Sequence, residues 1–458
     1  MNAPQSRARL NCKSKALDAN PVMRGEQRCV EPHCAARYGL DEPLLVCSRC
    51  GGLLEIKTQP ARDSSDLRAL WQRRRASSQA RDRSGVWRFR ELLPFDEGVF
   101  AVTLFEGNTP LYEAPRSASY CGLDRLLLKH QGCNPTGSFK DTGMTVAVTQ
   151  AVRLGAQTVV CASTGNTAAS LAAYAARADL RCAILVPRGQ ISHAKLVQSL
   201  DYGATVLEIE GDFDRCMSLI RELSEEPSIY VVNSINPFRL EGQKTTAFEL
   251  LEQLAWEVPD HVIVPGGNLG NVSALGKGFL EMLELGLIER LPRVSVAQAE
   301  GAAPLVRFLS ASPQPSSLAP ISHPATLATA IKIGAPVSWK KAARVVQRTG
   351  GRAVAVSELE IAEAKAVVGR DGIGCEPASA AAVAGIKKLV AQGLVSPDER
   401  VVAVLTGHVL KDADYAMRYH TGRLFEASSG RYRNAPQRVE ARAETILTLL
   451  SNRNRSWT

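Results

Sequence analysis

Lys140 stands where a loop turns into a helix. Its run, HQGCNPTGSFKDTGMTVAVTQA over 130–151, opens with Gly, Pro and Asn and becomes periodically apolar after Asp141. An amine held beside such a turn is desolvated enough to react with a bound carbonyl; the competing reading is an ordinary surface lysine. A second run, VVCASTGNTAASLAAYAA over 159–176, leads a strand through Ser163, Thr164, Gly165 and Asn166 into a helix. Hydroxyls and free N–H groups there suit an anion such as a carboxylate, and the Asn166 amide suits a phenolic oxygen. Read more plainly, these residues are helix caps. In HVIVPGGNLGNVSALGKGF (261–279), Gly266, Gly267 and Gly270 let the backbone wrap a phosphate at the start of a helix near Asn271. The spacing is neither the dinucleotide G-x-G-x-x-G nor a Walker loop. In VVAVLTGHVLKD (401–412), Thr406 ends a strand, where open α/β sheets place ligands. It is equally readable as a turn residue.

Taken together, the four runs offer an amine, a phosphate cup, an amide for a ring oxygen and a neutral hydroxyl for a ring nitrogen. That set is what holding pyridoxal phosphate requires.

The elements that must position them follow from periodicity. Short β-rich runs such as QTVVCAST, RCAILVP, ATVLEIEG, HVIVPGG, RVSVAQAE and ERVVAVLTGH alternate with helical stretches, which predicts parallel α/β layers. The chain divides into an N-terminal segment (1–60), an Arg-rich helical connector (61–100), a two-lobed catalytic domain (101–425, smaller lobe roughly 145–245) and a polar tail (426–458). The first segment holds Cys29, Cys34, Cys47 and Cys50, two pairs with four and two residues between partners. Two such knuckles suit a four-thiolate structural zinc site, a zinc ribbon; incidental cysteines without metal are the alternative.

At 458 residues, 45% hydrophobic and 22% charged, the composition is that of a globular protein, without an apolar run long enough to span a bilayer. The first 20 residues lack the apolar core of a secretory signal, so the expected location is the cytoplasm, with reduced thiols. The net charge of +9 is partly local, with 9 Arg against 3 Asp over 62–90. That stretch reads as a solvated helix face, or less readily as a nucleic-acid surface.

NPTGSFKD, ASTGNTAAS, NSINPFRLEGQKT and VPGGNLGN follow one another in an order that resembles the threonine synthases, within the tryptophan-synthase-β-like, fold type II group of pyridoxal-phosphate enzymes. SGVW, LFEGNTPL and KDTGMTVAV are similar to the plant-like branch; Asn166 and the four retained ribbon cysteines depart from that branch, and Thr142 and Val409 from the residues usual among relatives. The resemblance implies Lys140 as Schiff-base lysine, Asn166 at the cofactor 3-hydroxyl, Gly267, Asn268, Leu269, Gly270 and Asn271 as phosphate loop, and Thr406 at the ring nitrogen. It further implies Ser163 and Thr164 for the substrate carboxylate, with Ser234 and Arg239 for a substrate phosphate. The implied protein is a homodimer converting O-phospho-L-homoserine and water to L-threonine and phosphate, with no nucleic-acid or membrane partner. A relative acting on phosphoserine (cysteate synthase-like), or a serine or threonine dehydratase, is the alternative; a zinc-ribbon nucleic-acid binder is a remoter one.

Overall fold

The computed structural model describes residues 24–59, 64–189, 193–425 and 430–451. The ribbon is a three-stranded antiparallel sheet of β1 (Gly25–Cys29), β2 (Arg37–Tyr38) and β3 (Leu54–Thr58), in the order β2-β1-β3. The body holds two further sheets. Its strands are β4 (Leu111–Glu113), β5 (Leu126–His130), β6 (Thr158–Ala162), β7 (Arg181–Pro187), β8 (Thr205–Ile209), β9 (Ile229–Val231), β10 (His261–Pro265), β11 (Arg293–Ala299), β12 (Ala353–Val356) and β13 (Val401–Leu405). The larger sheet runs β12-β11-β10-β13-β5-β4, parallel except for β4 at its edge. The smaller, β8-β7-β6-β9, is wholly parallel. The expected two-lobed α/β architecture with a small ribbon is the one observed.

Parallel strands are covered on both faces and therefore need continuous apolar runs. HVIVP of β10 and VVAVL of β13 are buried at every position. Their alternate residues feed two cores. Ile263, Ala403 and Leu405 face the helix Pro377–Ala391, and Val262, Val264, Val402 and Val404 face the other side. The alanines of that helix let it lie close: a Cβ built on Gly385 would sit 2.8 Å from the Ala297 Cβ.

Two long helices join the lobes. They are the lysine helix (Lys140–Arg153) and the arginine helix (Pro237–Gln253). Their backbones touch: a Cβ on Gly242 would lie 1.8 Å from the Thr142 carbonyl oxygen, and one on Gly143 would lie 2.7 Å from the Arg239 carbonyl oxygen. Only glycine permits this approach.

The Arg-rich stretch departs from a purely solvated face. Arg68, Arg73, Arg75 and Arg83 are exposed as expected. Arg74 and Arg88 are buried, Arg74 paired with Glu91 and Arg88 with Glu252 at 2.7 Å. Trp71, Phe89 and Phe248 pack beside them. Amphipathic burial of a long side chain and its ion pair is invisible to a count of charges. Among the described residues no helix is long and apolar enough to cross a membrane.

Candidate active site

β10, β13 and β5 are neighbours, and their carboxyl ends deliver the glycine loop, Thr406 and the Lys140 loop to one place, as open α/β sheets do. The 131–139 loop is knitted to the end of β13: Phe139 N–H donates to Thr406 O at 2.9 Å, and His408 N–H to Gly137 O at 2.9 Å. Buried Asp141 fixes the loop from the other side. It accepts from Thr136 N and Thr136 Oγ1, both at 2.7 Å, and from Ser170 Oγ at 2.5 Å on the helix Asn166–Arg177. Lys140 Nζ then lies 3.8 Å from the centre of the Phe139 ring. Enclosure pushes its amine down to about 7; the Arg239 guanidinium pushes the same way and Glu376 opposes. A lysine in that range is a usable nucleophile and base near neutrality.

Thr406 is part of a network in which the sequence reading missed two members. Ser379 Oγ accepts from Thr406 N at 2.8 Å and Gly407 N at 3.0 Å, and lies 3.0 Å from Thr406 Oγ1. Thr406 Oγ1 also donates to Glu376 Oε1 at 3.2 Å, and Asn166 Nδ2 to Glu376 Oε2 at 3.1 Å. Asn166 and Thr406 are thus brought together across one carboxylate, whose pKa burial raises. The available signal was GCEPASAA, an acid followed by proline at a helix start.

The glycine loop follows β10. Cβ atoms on Gly266 and Gly267 would meet Val296 Cγ1 at 2.4 Å and Ala330 O at 3.1 Å, so its outer side is packed shut. Leu269 turns the chain with φ +63°, and the helix Gly270–Glu284 begins at once. The space beside Gly270 is open, its nearest neighbour for a Cβ being Ser338 Oγ at 3.9 Å. Asn268 is held at both ends: its Oδ1 accepts from Val337 N at 2.9 Å, its O from Ser338 N at 3.3 Å, and its Nδ2 donates to Ser234 Oγ at 2.9 Å. Asn271 Nδ2 reaches Gln131 Oε1 at 3.4 Å, while its Oδ1 is buried without a partner among the described residues.

Arg239 is buried in the first turn of the arginine helix. Its Nη1 reaches Val232 O only at 3.5 Å, and among the described residues its Nε has no partner. Burial lowers its pKa to about 10. Ser163 Oγ accepts from Gly165 N at 3.2 Å, and the space around Gly165 is open. No hydrogen bond links Ser163 or Thr164 to the other candidate residues among those described. The residues fit pyridoxal phosphate: an amine biased toward its neutral form, an open turn at a helix start, and an amide and hydroxyl on one carboxylate.

The four ribbon cysteines converge independently. Their Sγ atoms lie within 4.8 Å of one another, with Cys29–Cys50 at 3.5 Å and Cys34–Cys47 at 3.6 Å.

The profile of the family described as pyridoxal-phosphate dependent enzyme matches residues 102–407. A threonine synthase of Methanocaldococcus jannaschii is 46% identical over 395 residues, 86% of this chain and 94% of that protein. One of Mycobacterium tuberculosis is 47% identical, over 72% of this chain and 89% of its own. Among solved structures, Escherichia coli threonine synthase superposes with a TM-score of 0.65 at 20% identity, covering 93% of this chain and 100% of that one. Tomato threonine deaminase isoform 2 superposes with a TM-score of 0.56 at 21% identity, over 66% of this chain and 79% of that one, so the fold is shared more widely. With a family profile over most of its length and relatives at this identity, the chain belongs to the threonine synthases of the pyridoxal-phosphate-dependent enzyme family.

Proposed function

We propose that this enzyme converts O-phospho-L-homoserine and water to L-threonine and phosphate. The observation that favours a phosphorylated substrate is Arg239, a buried guanidinium with an unpartnered Nε close enough to Lys140 to lower its pKa. A buried cation without a carboxylate is costly unless an anion arrives.

When bound, pyridoxal phosphate supplies the electron sink for charge developing on the substrate carbons. In this reading Lys140 carries the cofactor and then moves protons at the substrate α and β carbons. Gly267, Asn268, Leu269, Gly270 and Asn271 seat the cofactor phosphate on free N–H groups at the helix start. Asn166 meets the 3-hydroxyl. Thr406 turns its hydroxyl proton from Glu376 to the ring nitrogen without protonating it, which moderates the sink and leaves room for chemistry at the β and γ carbons. Ser163 and Thr164 hold the substrate carboxylate, and Ser234 with Arg239 the leaving phosphate. Roughly 145–245 forms the smaller lobe of a catalytic domain over 101–425, which closes to admit water only when the β carbon is ready. A structural zinc ion at Cys29, Cys34, Cys47 and Cys50, a homodimeric state and a cytoplasmic location complete the proposal.

The test compares phosphate release from O-phospho-L-homoserine with that from O-phosphoserine, with threonine as the co-measured product. Equal or greater release from phosphoserine, with no threonine formed, overturns the assignment.

A further inference from the structure

We propose that a zinc-type divalent cation among the four ribbon thiolates positions the cofactor-phosphate loop through the helix Trp339–Arg348, so that losing the metal loosens the cofactor. The inference rests on the reading of Gly267–Asn271 as the phosphate seat.

The thiol geometry suits the ion. Tetrahedral Zn–S bonds of about 2.3 Å place sulfurs about 3.8 Å apart, and the observed sulfurs lie 3.5 Å and 3.6 Å apart in pairs and all within 4.8 Å. The knuckles close on Gly52, where a Cβ would meet Glu31 Cγ at 2.7 Å and the Cys29 and Cys50 sulfurs at 3.2 Å and 3.3 Å.

Residues beside these ligands, or paired with them in the sheet as Leu54 is with Cys29, are among those that grip the body. Glu31, two residues after Cys29, pairs with Lys340 Nζ at 2.6 Å. Val30 O accepts from Arg344 Nη2 at 3.2 Å, and Leu54 O from buried Lys341 Nζ at 2.6 Å. Three cations of one helix thus bind the Glu31 carboxylate and two carbonyls of the segments that carry the ligands. Ser338 is the N-cap of the same helix, and Val337 N and Ser338 N hold Asn268 at its side-chain and backbone oxygens. The path from metal to phosphate loop therefore runs through one rigid helix of ten residues. Without the ion, four crowded thiols no longer hold the knuckles together, and Lys341 loses the carbonyl that satisfies it. The grip on Asn268 loosens with the helix.

The experiment uses the full-length protein under reducing conditions. Zinc is quantified, and pyridoxal phosphate is titrated before and after chelation, followed by visible absorbance and tryptophan fluorescence. Stripping is expected to raise the Kd for the cofactor about tenfold, within the usual range for two coupled sites, and zinc restores it. The Lys340→Ala/Arg344→Ala variant, which keeps only the Lys341 link, is expected to keep its zinc, start with a raised Kd and respond less to chelation; it supplies the readout even if stripped protein aggregates. Exchanging the pair, Glu31→Lys with Lys340→Glu, restores part of the affinity lost by Lys340→Glu alone. A Kd unchanged by stripping, or a protein whose metal content is untouched by Cys47→Ser, overturns the coupling while leaving the active site intact. Untreated protein that takes up no cofactor overturns both.

Discussion

Around Thr406, the hydroxyls of Thr406 and Ser379 and both carboxylate oxygens of Glu376 are hydrogen-bonded within the protein. The Arg239 guanidinium Nε and, on the glycine loop, the Asn271 amide oxygen are instead buried with no partner among the described residues. The first end was satisfied when the chain folded, and its bonds set shape. The second carries an uncompensated desolvation cost, about 1–3 kcal/mol for each such group and more for a charged one. A ligand with the right polar atoms offsets that cost on binding. The contrast separates polar groups already paired inside the cleft, with Glu376 and Ser379 holding Asn166 and Thr406 in place, from groups left unpaired.

The hardest break is Lys140→Ala, which lies between the two ends. It should lower turnover by about 1,000-fold or more, the scale of lost acid–base and covalent roles, and remove the visible band of the lysine–cofactor adduct while the melting temperature holds. Arg239→Leu sharpens the contrast. KM for O-phospho-L-homoserine should rise about 10- to 100-fold, matching a lost charge-assisted contact. Its Tm should stay level or rise, because a buried unpaired charge is gone; a large fall in Tm would make Arg239 a structural residue. Ser379→Ala is the mirror case. It strips the Thr406 and Gly407 N–H groups of their acceptor and should cost about 1–3 kcal/mol in denaturant unfolding, with a smaller change in KM.

The smallest effect is that of pH. Because Lys140 is held at about 7 rather than 10.5, the amine is mostly neutral above that value. Cofactor uptake by the apoprotein should therefore quicken a few-fold as pH rises through 7 and then level off. The folded state binds fewer protons than the unfolded one between the two values, so the Lys140 contribution to stability falls as pH drops across that window. Uptake that is flat from pH 6 to 8.5 would remove the lysine from this role.

Much of this cleft was legible in the sequence because its parts are local. Lys140, Asn166, the glycine loop and Thr406 each close a strand or open a helix, and turn residues announce such junctions. Glu376 and Ser379 were not found: their meaning comes from Asn166, 210 residues away from Glu376, and from Thr406. Val337 and Ser338 carry no pattern pointing to Asn268, 69 residues before Val337. The arginines of 62–90 were legible as charge, whereas the aromatic cluster that buries Arg74 and Arg88 draws Phe248 from a distant helix.

The bare-backbone contact at Gly242 and Thr142 has a further effect. Lys140 and Arg239 lie in the first turns of the two helices welded there. Their separation is consequently indifferent to how far the lobes open, and it works as a fixed gauge. If Lys140 and Arg239 act as proposed, an amino acid whose anionic group sits one carbon too near or too far reaches either end of that gauge but does not satisfy both together.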